Sequence, residues 1–156
     1  MIPETIRAAQ IMRRTLEEIR FSNKLSDIGA FGYFPEGCCE YATVYLGRYL
    51  IREKICSIEN LRVPEKNITN SEGKTHAWLN VNGNLNVDIT ADQFGKEQSP
   101  VIVSANSSFH NDFQPMKWEP FEDTDRFVFD QLSESLPYIK IIWKEIKDAL
   151  PLLTGA

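Results

Sequence analysis

The chain lacks the features that mark several common classes of protein. None of its apolar runs approaches the roughly 18 residues that a membrane-spanning helix needs. Its first residues have neither the basic start nor the apolar core of a secretory signal. The net charge is −5 and the basic residues are scattered, so no stripe of Lys or Arg could follow a phosphate backbone. We therefore expect a cytoplasmic protein that binds neither membranes nor nucleic acid.

Cysteine and histidine are also scarce. The chain has three cysteines, two of them adjacent, which cannot form a conventional disulfide framework. Neither His110 nor the thiols show the spacing of zinc ligands, so we expect no metal and no cofactor. Cys56 has no motif around it and is expected in the core. Reduced thiols in a reducing compartment fit this pattern best.

What is present is the composition of one ordinary globular domain. The 156 residues, 42% hydrophobic and 25% charged, suffice for one core and are too few for two. Helical periodicity recurs in three segments, 3–21, about 38–54, and 125–150 with a break near 135–137. Strand patterns recur in four segments, 60–64, 75–81, 85–90 and 101–104, whereas 106–124 is expected to be irregular. The pattern predicts a single α+β domain over residues 1–156, with helices flanking a small antiparallel sheet.

Three short motifs supply the parts of an activated thiol, in the chain order Cys, His, Asp. They are GCCEYA at 37–42, THAW at 75–78 and VDIT at 87–90. A thiol attacks only as the thiolate, which needs an imidazole to take its proton and a third group to hold that imidazole. The motifs therefore predict Cys38 as nucleophile, His76 as base and Asp88 as the orienting carboxylate.

The choice of thiol follows from the helix that the first motif begins. Cys38 is expected in the first turn, where the positive end of the helix dipole and a neighbouring imidazolium lower a thiol pKa. Cys39 points about 100° further round the helix, is expected to pack, and stays open as the alternative nucleophile. The oxyanion hole would use the backbone amide of Cys38 and a second donor, for which Asn23, Trp78 and Gln93 are candidates.

The turn between the two central strands decides whether His76 can meet Asp88. A loop of two residues would put them on opposite faces of the sheet, because side chains alternate along a strand. A loop of three residues, 82–84, pairs Leu79 with Val87 and makes one face wholly apolar, which stabilises by about 1.5–3 kcal/mol for each large side chain buried. We predict this second register, with the cysteine-headed helix packed across the face that carries the imidazole and the carboxylate.

The three motifs resemble those of the transglutaminase-like branch of the papain-like cysteine hydrolases. The shared patterns are Cys-x-Glu-Tyr-Ala from Cys38, His-Ala-Trp from His76 and Asp-x-Thr from Asp88. The resemblance implies a papain-like core, in which a cysteine-headed helix packs on an antiparallel sheet bearing His and Asp, and a thioester intermediate. The glycine typical of the family lies two residues before the nucleophile. That position is Glu36 when Cys38 is aligned, with Gly37 immediately adjacent, so either cysteine can be the aligned thiol.

We expect from this a cofactor-independent cysteine hydrolase that cleaves an amide bond in a peptide or protein substrate, as a peptidase or amidase. Two alternatives stay open. One is a protein glutamine deamidase or transglutaminase, and the other is a catalytically inactive protein-binding module of the same fold that binds through residues 106–124. By analogy, a small free-standing domain of this kind suits a bacterial protein, cytoplasmic or delivered to another cell as an effector.

Overall fold

Four helices and a five-stranded antiparallel sheet form the part of the chain that the computed structural model describes, residues 2–21, 33–122 and 136–154. The helices are α1 Ile2–Phe21, α2 Cys39–Arg52, α3 Ser108–Asn111 and α4 Leu136–Thr154. The strands are β1 Leu61–Pro64, β2 Leu79–Val81, β3 Leu85–Asp88, β4 Ile102–Ser104 and β5 Trp118–Pro120. Their order in the sheet is β4-β3-β2-β1-β5. The predicted α+β class is confirmed.

The hairpin of β2 and β3 has the predicted three-residue loop. Leu79 pairs with Val87, so the apolar side chains of both strands share one face. Asn82 and Gly83 in the loop have φ values of 56° and 76°, left-handed conformations that asparagine and glycine tolerate best. The burial of one apolar face therefore sets the register, as the sequence pattern predicts.

Two elements lie where the pattern predicts irregular structure, within residues 106–124. Strand β5 pairs with β1 and so extends the sheet by one strand, and α3 is a single helical turn. Elements this short carry too few side chains to show a period, and the pairing partner of β5 is distant in sequence. Strand β2 also begins four residues later than predicted. The predicted helix over 125–135 lies outside the described residues.

Apolar side chains form two clusters, one on each face of the sheet. The larger cluster joins α1, α2 and α4 to the apolar face, where Leu79, Val81 and Val87 are fully buried. The smaller cluster consists of Ile68, Trp78 and Phe113, with partly buried neighbours Phe94, Phe109 and Met116. The prediction that α2 packs across the polar face is not met. The apolar side of α2 buries more hydrophobic surface against the apolar face, and the aromatic cluster covers the other.

Within residues 2–21, 33–122 and 136–154, none of the helices combines the length and the apolar character that crossing a bilayer requires.

Gly47 marks a close approach between α2 and the segment after β5. A Cβ at this position would lie 2.4 Å from Cζ of Phe121, which is buried. We expect Gly47→Ala to lower the free energy of unfolding. Overpacking costs about 1–3 kcal/mol and outweighs the gain of up to about 1 kcal/mol that alanine brings to a helix. Chemical denaturation of the two proteins measures the difference.

Phe121→Leu provides the matched control, because the smaller side chain leaves room for the new methyl group. The double variant should lose less stability than the sum of the two single variants, since the residues are in contact. Strictly additive losses would show that Gly47 and Phe121 do not constrain each other.

Candidate functional site

The centre of the candidate site is the carboxylate of Asp88, the last residue of β3. Its Oδ2 lies 2.7 Å from Nε2 of His76, three residues before β2. Both side chains are closed to solvent, with exposed fractions of 1% for Asp88 and 0% for His76. The hairpin register puts Trp78 opposite Asp88, and this brings His76 within side-chain reach on the diagonal. The structure thus brings together two of the three residues that the motifs predict.

Asp88 has further partners that the sequence analysis did not assign. The backbone N–H of Thr90 donates to Oδ1 at 2.9 Å, and the Thr90 hydroxyl, the group specific to the third position of the Asp-x-Thr pattern, donates to the same oxygen at 3.5 Å. Nε2 of His110 lies 2.7 Å from Oδ2, and Nδ1 of the same ring lies 2.7 Å from the hydroxyl of Ser107. No local pattern identifies His110, because 22 residues separate it from Asp88 and α3 is one turn long.

The two adjacent thiols differ in their surroundings. Cys39 is half-buried and, after Asp88, is among the groups that raise the pKa of His76. Cys38 is 1% exposed and packs in the larger cluster, with Sγ 3.4 Å from the carbonyl oxygen of Glu36. Burial, with the charge of Cys39 adding to it, raises the pKa of the Cys38 thiol to about 12. Burial therefore disfavours the thiolate form of Cys38, whose role as nucleophile stays a prediction.

The physical reason for this difference is the position where α2 begins. The first helical residue is Cys39, and Cys38 takes the N-cap position with φ −114° and ψ 10°. With the helix beginning one residue later than predicted, Cys38 lies in the core and Cys39 is half-buried. The sequence held a signal for this, because Gly37 lies two residues before Cys39, the spacing that the family resemblance gives for the nucleophile.

The electrostatics of the site favour an ion pair. Burial by itself lowers the pKa of His76, but the charge and hydrogen bond of Asp88, with Cys39 contributing, outweigh it and raise that pKa to about 9. Burial likewise raises the pKa of Asp88, whereas the charge of His76 and the hydrogen bonds from His110 and His76 hold it well below its usual range. Imidazolium and carboxylate are therefore the stable forms at neutral pH.

Gln93 links the imidazole to the segment that leads into α2. Its Oε1 accepts from the backbone N–H of Gly37 at 3.3 Å, and its Nε2 lies 3.3 Å from Nδ1 of His76. The backbone N–H of Gly37 can only donate, so this contact assigns the amide oxygen. Gln93, one of the predicted oxyanion donors, therefore contacts Nδ1, the imidazole nitrogen that does not face Asp88.

The turn that carries Gln93, Ala91–Phe94, is held from α1 by Arg13. The two Nη atoms of Arg13 donate to the two oxygens of Asp92 at 2.7 and 2.8 Å, and one of them also donates to the carbonyl of Ile89 at 2.8 Å. A bidentate pair of this kind fixes orientation as well as distance. The packing of α1 therefore determines where the amide of Gln93 lies.

Aromatic rings enclose the imidazole. The ring of His76 stacks on Trp78 with centroids 5.6 Å apart and meets the edge of Phe94 at 4.9 Å. Phe109 and Phe113 lie at 5.7 and 6.0 Å from the same ring. Such rings exclude water from the ion pair, and a lower local dielectric strengthens the attraction between imidazolium and carboxylate.

The other predicted oxyanion donors are placed differently. The indole N–H of Trp78 donates to Oδ1 of Asn86 at 2.9 Å, and the ring is 1% exposed, so this donor is used within the fold. The backbone N–H of Cys38 donates to the carbonyl of Pro35 at 3.2 Å. Asn23 lies outside the described residues.

The residues that could hold a metal ion are His76, Asp88 and His110, whose donor atoms all lie within 4.8 Å of one another. Ligand atoms around a tetrahedral zinc ion, each about 2.1 Å from the metal, are separated from one another by roughly 3.4 Å. The two imidazole nitrogens here lie 2.7 Å from the same carboxylate oxygen. That distance fits two N–H groups donating to one oxygen, and the arrangement is described below as hydrogen bonded.

Comparison of the chain with protein-family models, with curated proteins and with solved structures finds no match. The function therefore has to be argued from the chemistry of the side chains at the site, since a fold class by itself does not define an activity.

The pair of His76 and Asp88 should make stability depend on pH. The pKa of His76 rises from 6.5 to about 9 on folding, so the pair stabilises fully below about pH 6.5, and this contribution is lost as the pH rises through about 9. We expect the free energy of unfolding, measured by denaturant titration, to fall by an amount on the order of 2–4 kcal/mol between about pH 6 and 10.

The control for this titration is His76→Gln, which can still donate a hydrogen bond to Asp88 but cannot take up a proton. Subtracting its stability curve from that of the wild type removes the contribution of every other titrating group. If the difference in the free energy of unfolding between wild type and His76→Gln does not change across this pH range, folding does not raise the pKa of His76.

Proposed function

We propose that the protein is a cysteine hydrolase that cleaves an amide bond in a peptide or protein substrate, with Cys39 as nucleophile, His76 as base and Asp88 as the group that holds the imidazole. The observation that carries the proposal is the imidazole of His76 held at 2.7 Å by the buried carboxylate of Asp88, with Cys39 at the start of α2 among the groups that raise the pKa of that imidazole. Because Nε2 of His76 faces Asp88, the thiol would reach the ring at Nδ1, which the amide of Gln93 also contacts. This is the arrangement that activates a thiol.

The reaction then proceeds in two halves. The Cys39 thiolate forms a C–S bond to the substrate carbonyl, while His76 keeps the proton that came from the thiol. Collapse of the tetrahedral adduct breaks the C–N bond, and the imidazolium passes its proton to the departing amine. Water, losing a proton to His76, attacks the thioester, and cleavage of the C–S bond releases the acid and restores the thiol.

Two donors near Cys39 are suited to the oxyanion that forms in each half. The backbone N–H of Cys39 belongs to the first turn of α2, where N–H groups have no acceptor further back in the helix. The amide Nε2 of Gln93 lies 3.3 Å from Nδ1 of His76, the imidazole that would act as base for this thiol. Donors fixed in advance stabilise the developing charge without reorganisation.

The same features support a papain-like, transglutaminase-like core as the finer description of the fold. A helix that begins at a cysteine packs on an antiparallel sheet, and neighbouring strands bring up the His and the Asp. Deamidation or amine transfer would proceed through the same thioester. These reactions differ from peptide hydrolysis only in the acyl donor or in the nucleophile that attacks the thioester. We favour hydrolysis because water is the default acceptor.

Thiol labelling tests the nucleophile. Iodoacetamide treatment of the native protein from about pH 5 to 9, followed by peptide mapping, should label Cys39 selectively below pH 7, well under the ordinary thiol pKa of about 8.5. The labelling should be lost in His76→Ala. Cys38 should react only after unfolding, because burial raises its pKa to about 12.

Matched serine variants separate the two thiols. Cys39→Ser should abolish the fast labelling, and Cys38→Ser should retain it. The opposite result would return the nucleophile to Cys38. Slow and equal labelling of all three cysteines would contradict the enzyme proposal. It would favour the alternative of a catalytically inactive protein-binding module.

The products of a peptide mixture identify the reaction. Incubation of wild type and Cys39→Ser with a mixture of synthetic peptides and a primary amine, analysed by mass spectrometry, should give cleaved peptides with the wild type alone. Conversion of glutamine to glutamate would indicate a deamidase, and addition of the amine would indicate a transferase. Absence of all three products would count against turnover of peptide amides.

The variant Gln93→Ala should affect amide turnover and iodoacetamide alkylation differently. Gln93→Ala is expected to lower amide turnover by about 100-fold to 1000-fold, since an oxyanion donor is lost. Alkylation of Cys39 by iodoacetamide forms no oxyanion and should not be slowed. Gln98→Ala, in the loop that follows the turn, is the control and should change neither rate. Equal losses in turnover and alkylation would show that Gln93 supports the structure of the site and does not stabilise an oxyanion.

A further inference from the structure

The chain has two histidines, and both bind the same carboxylate oxygen. Nε2 of His76 and Nε2 of His110 each lie 2.7 Å from Oδ2 of Asp88. Both imidazoles are buried, with side chains 0% and 1% exposed. The reaction described above uses only His76, so the second imidazole needs an explanation of its own.

The hydrogen bonds around His110 define its tautomer. The hydroxyl oxygen of Ser107 accepts from the backbone N–H of His110 at 3.3 Å and lies 2.7 Å from Nδ1 of the ring. The carboxylate oxygen of Asp88, 2.7 Å from Nε2, can only accept, so Nε2 carries a proton. In the neutral ring Nδ1 is then the acceptor, and the Ser107 hydroxyl donates to it.

We propose that His110 is a positioning residue of the same site, which holds Asp88 through its Nε2–H and, by sharing Oδ2, limits how strongly Asp88 retains a proton on His76. This inference rests on the proposed function for its catalytic meaning. Its geometry stands on the three side chains alone. Ser107 acts one step further out, because it keeps the Nε2–H of His110 directed at the carboxylate.

The sign of the effect follows from the arrangement of dipoles. Two N–H groups point at one oxygen, so the positive end of the His110 N–H lies close to the positive charge of protonated His76. The donor atoms of the three groups all lie within 4.8 Å of one another. Removing the His110 donor takes away this repulsion and leaves more of the carboxylate charge to His76. If the pKa of His76 were too high, the imidazolium would not release its proton to the departing amine.

The other groups around His76 are accounted for among the described residues. Cys39 at the head of α2 is the only other titrating side chain that shifts its proton affinity. Gln93 and the rings of Trp78, Phe94, Phe109 and Phe113 are neutral. Arg13, behind the turn that carries Gln93, is paired with the carboxylates of Asp92 and Glu17.

The test is a nitrogen NMR titration of protein labelled in its histidine side chains, which contains two imidazoles in the wild type and one in each His110 variant. His110→Phe removes the donor and fills the space, whereas His110→Gln keeps an N–H at the position of Nε2. We expect the pKa of His76 in His110→Phe to exceed that in His110→Gln by about half a unit to one unit. Equal pKa values in the two variants, or a lower value in His110→Phe, would overturn the proposal.

A second measurement on the wild type keeps the proposal testable if His110→Phe does not fold. The nitrogen shifts of His110 should report the Nε2–H tautomer throughout, and its Nε2–H proton should shift as His76 titrates, because both share one oxygen. An Nδ1–H tautomer, or a His110 signal that ignores the titration of His76, would overturn it.

The same titration in a Cys39→Ala background separates this inference from the proposed function. An unchanged pKa of His76 on losing the thiol would contradict the thiol–imidazole pair. The His110 inference is decided by the comparison of the Phe and Gln variants in either background.

Discussion

The candidate site depends on one buried negative charge, the carboxylate of Asp88. An isolated carboxylate in an apolar interior would take up a proton, since the charged form loses its hydration. Four hydrogen bonds offset this loss: one from each imidazole to Oδ2, and the N–H and hydroxyl of Thr90 to Oδ1. The charge in turn raises the pKa of His76. The carboxylate of Asp88 and the imidazolium of His76 therefore stabilise each other's charged form.

The rest of the fold determines what surrounds this charge. The hairpin register separates an apolar face, which binds the helices, from a face on which the carboxylate and imidazole are covered by aromatic rings. Helix α2 packs on the apolar face and begins at Cys39. Arg13 on α1 fixes the turn that carries Gln93, and the amide of Gln93 contacts Nδ1 of His76.

What could be predicted from the sequence is what local alternation determines. The pairing of Leu79 with Val87, and with it the meeting of His76 and Asp88, follows from collecting apolar residues on one face. The choice between Cys38 and Cys39 depends on a helix boundary, and one residue there reverses which thiol is buried. His110 and strand β5 could not be predicted, since each is positioned by a contact with a distant segment and lies in an element too short to show a period.

The central proposal is that Cys39 is the nucleophile and that His76, held by Asp88, is its base. The most direct measurement is the far-ultraviolet absorbance of the thiolate as a function of pH, taken as the difference between wild type and Cys39→Ser. The account expects a thiolate step well below the ordinary thiol pKa of about 8.5, absent in His76→Ala. A single step at or above that pH, unchanged by the loss of His76, would contradict the claim.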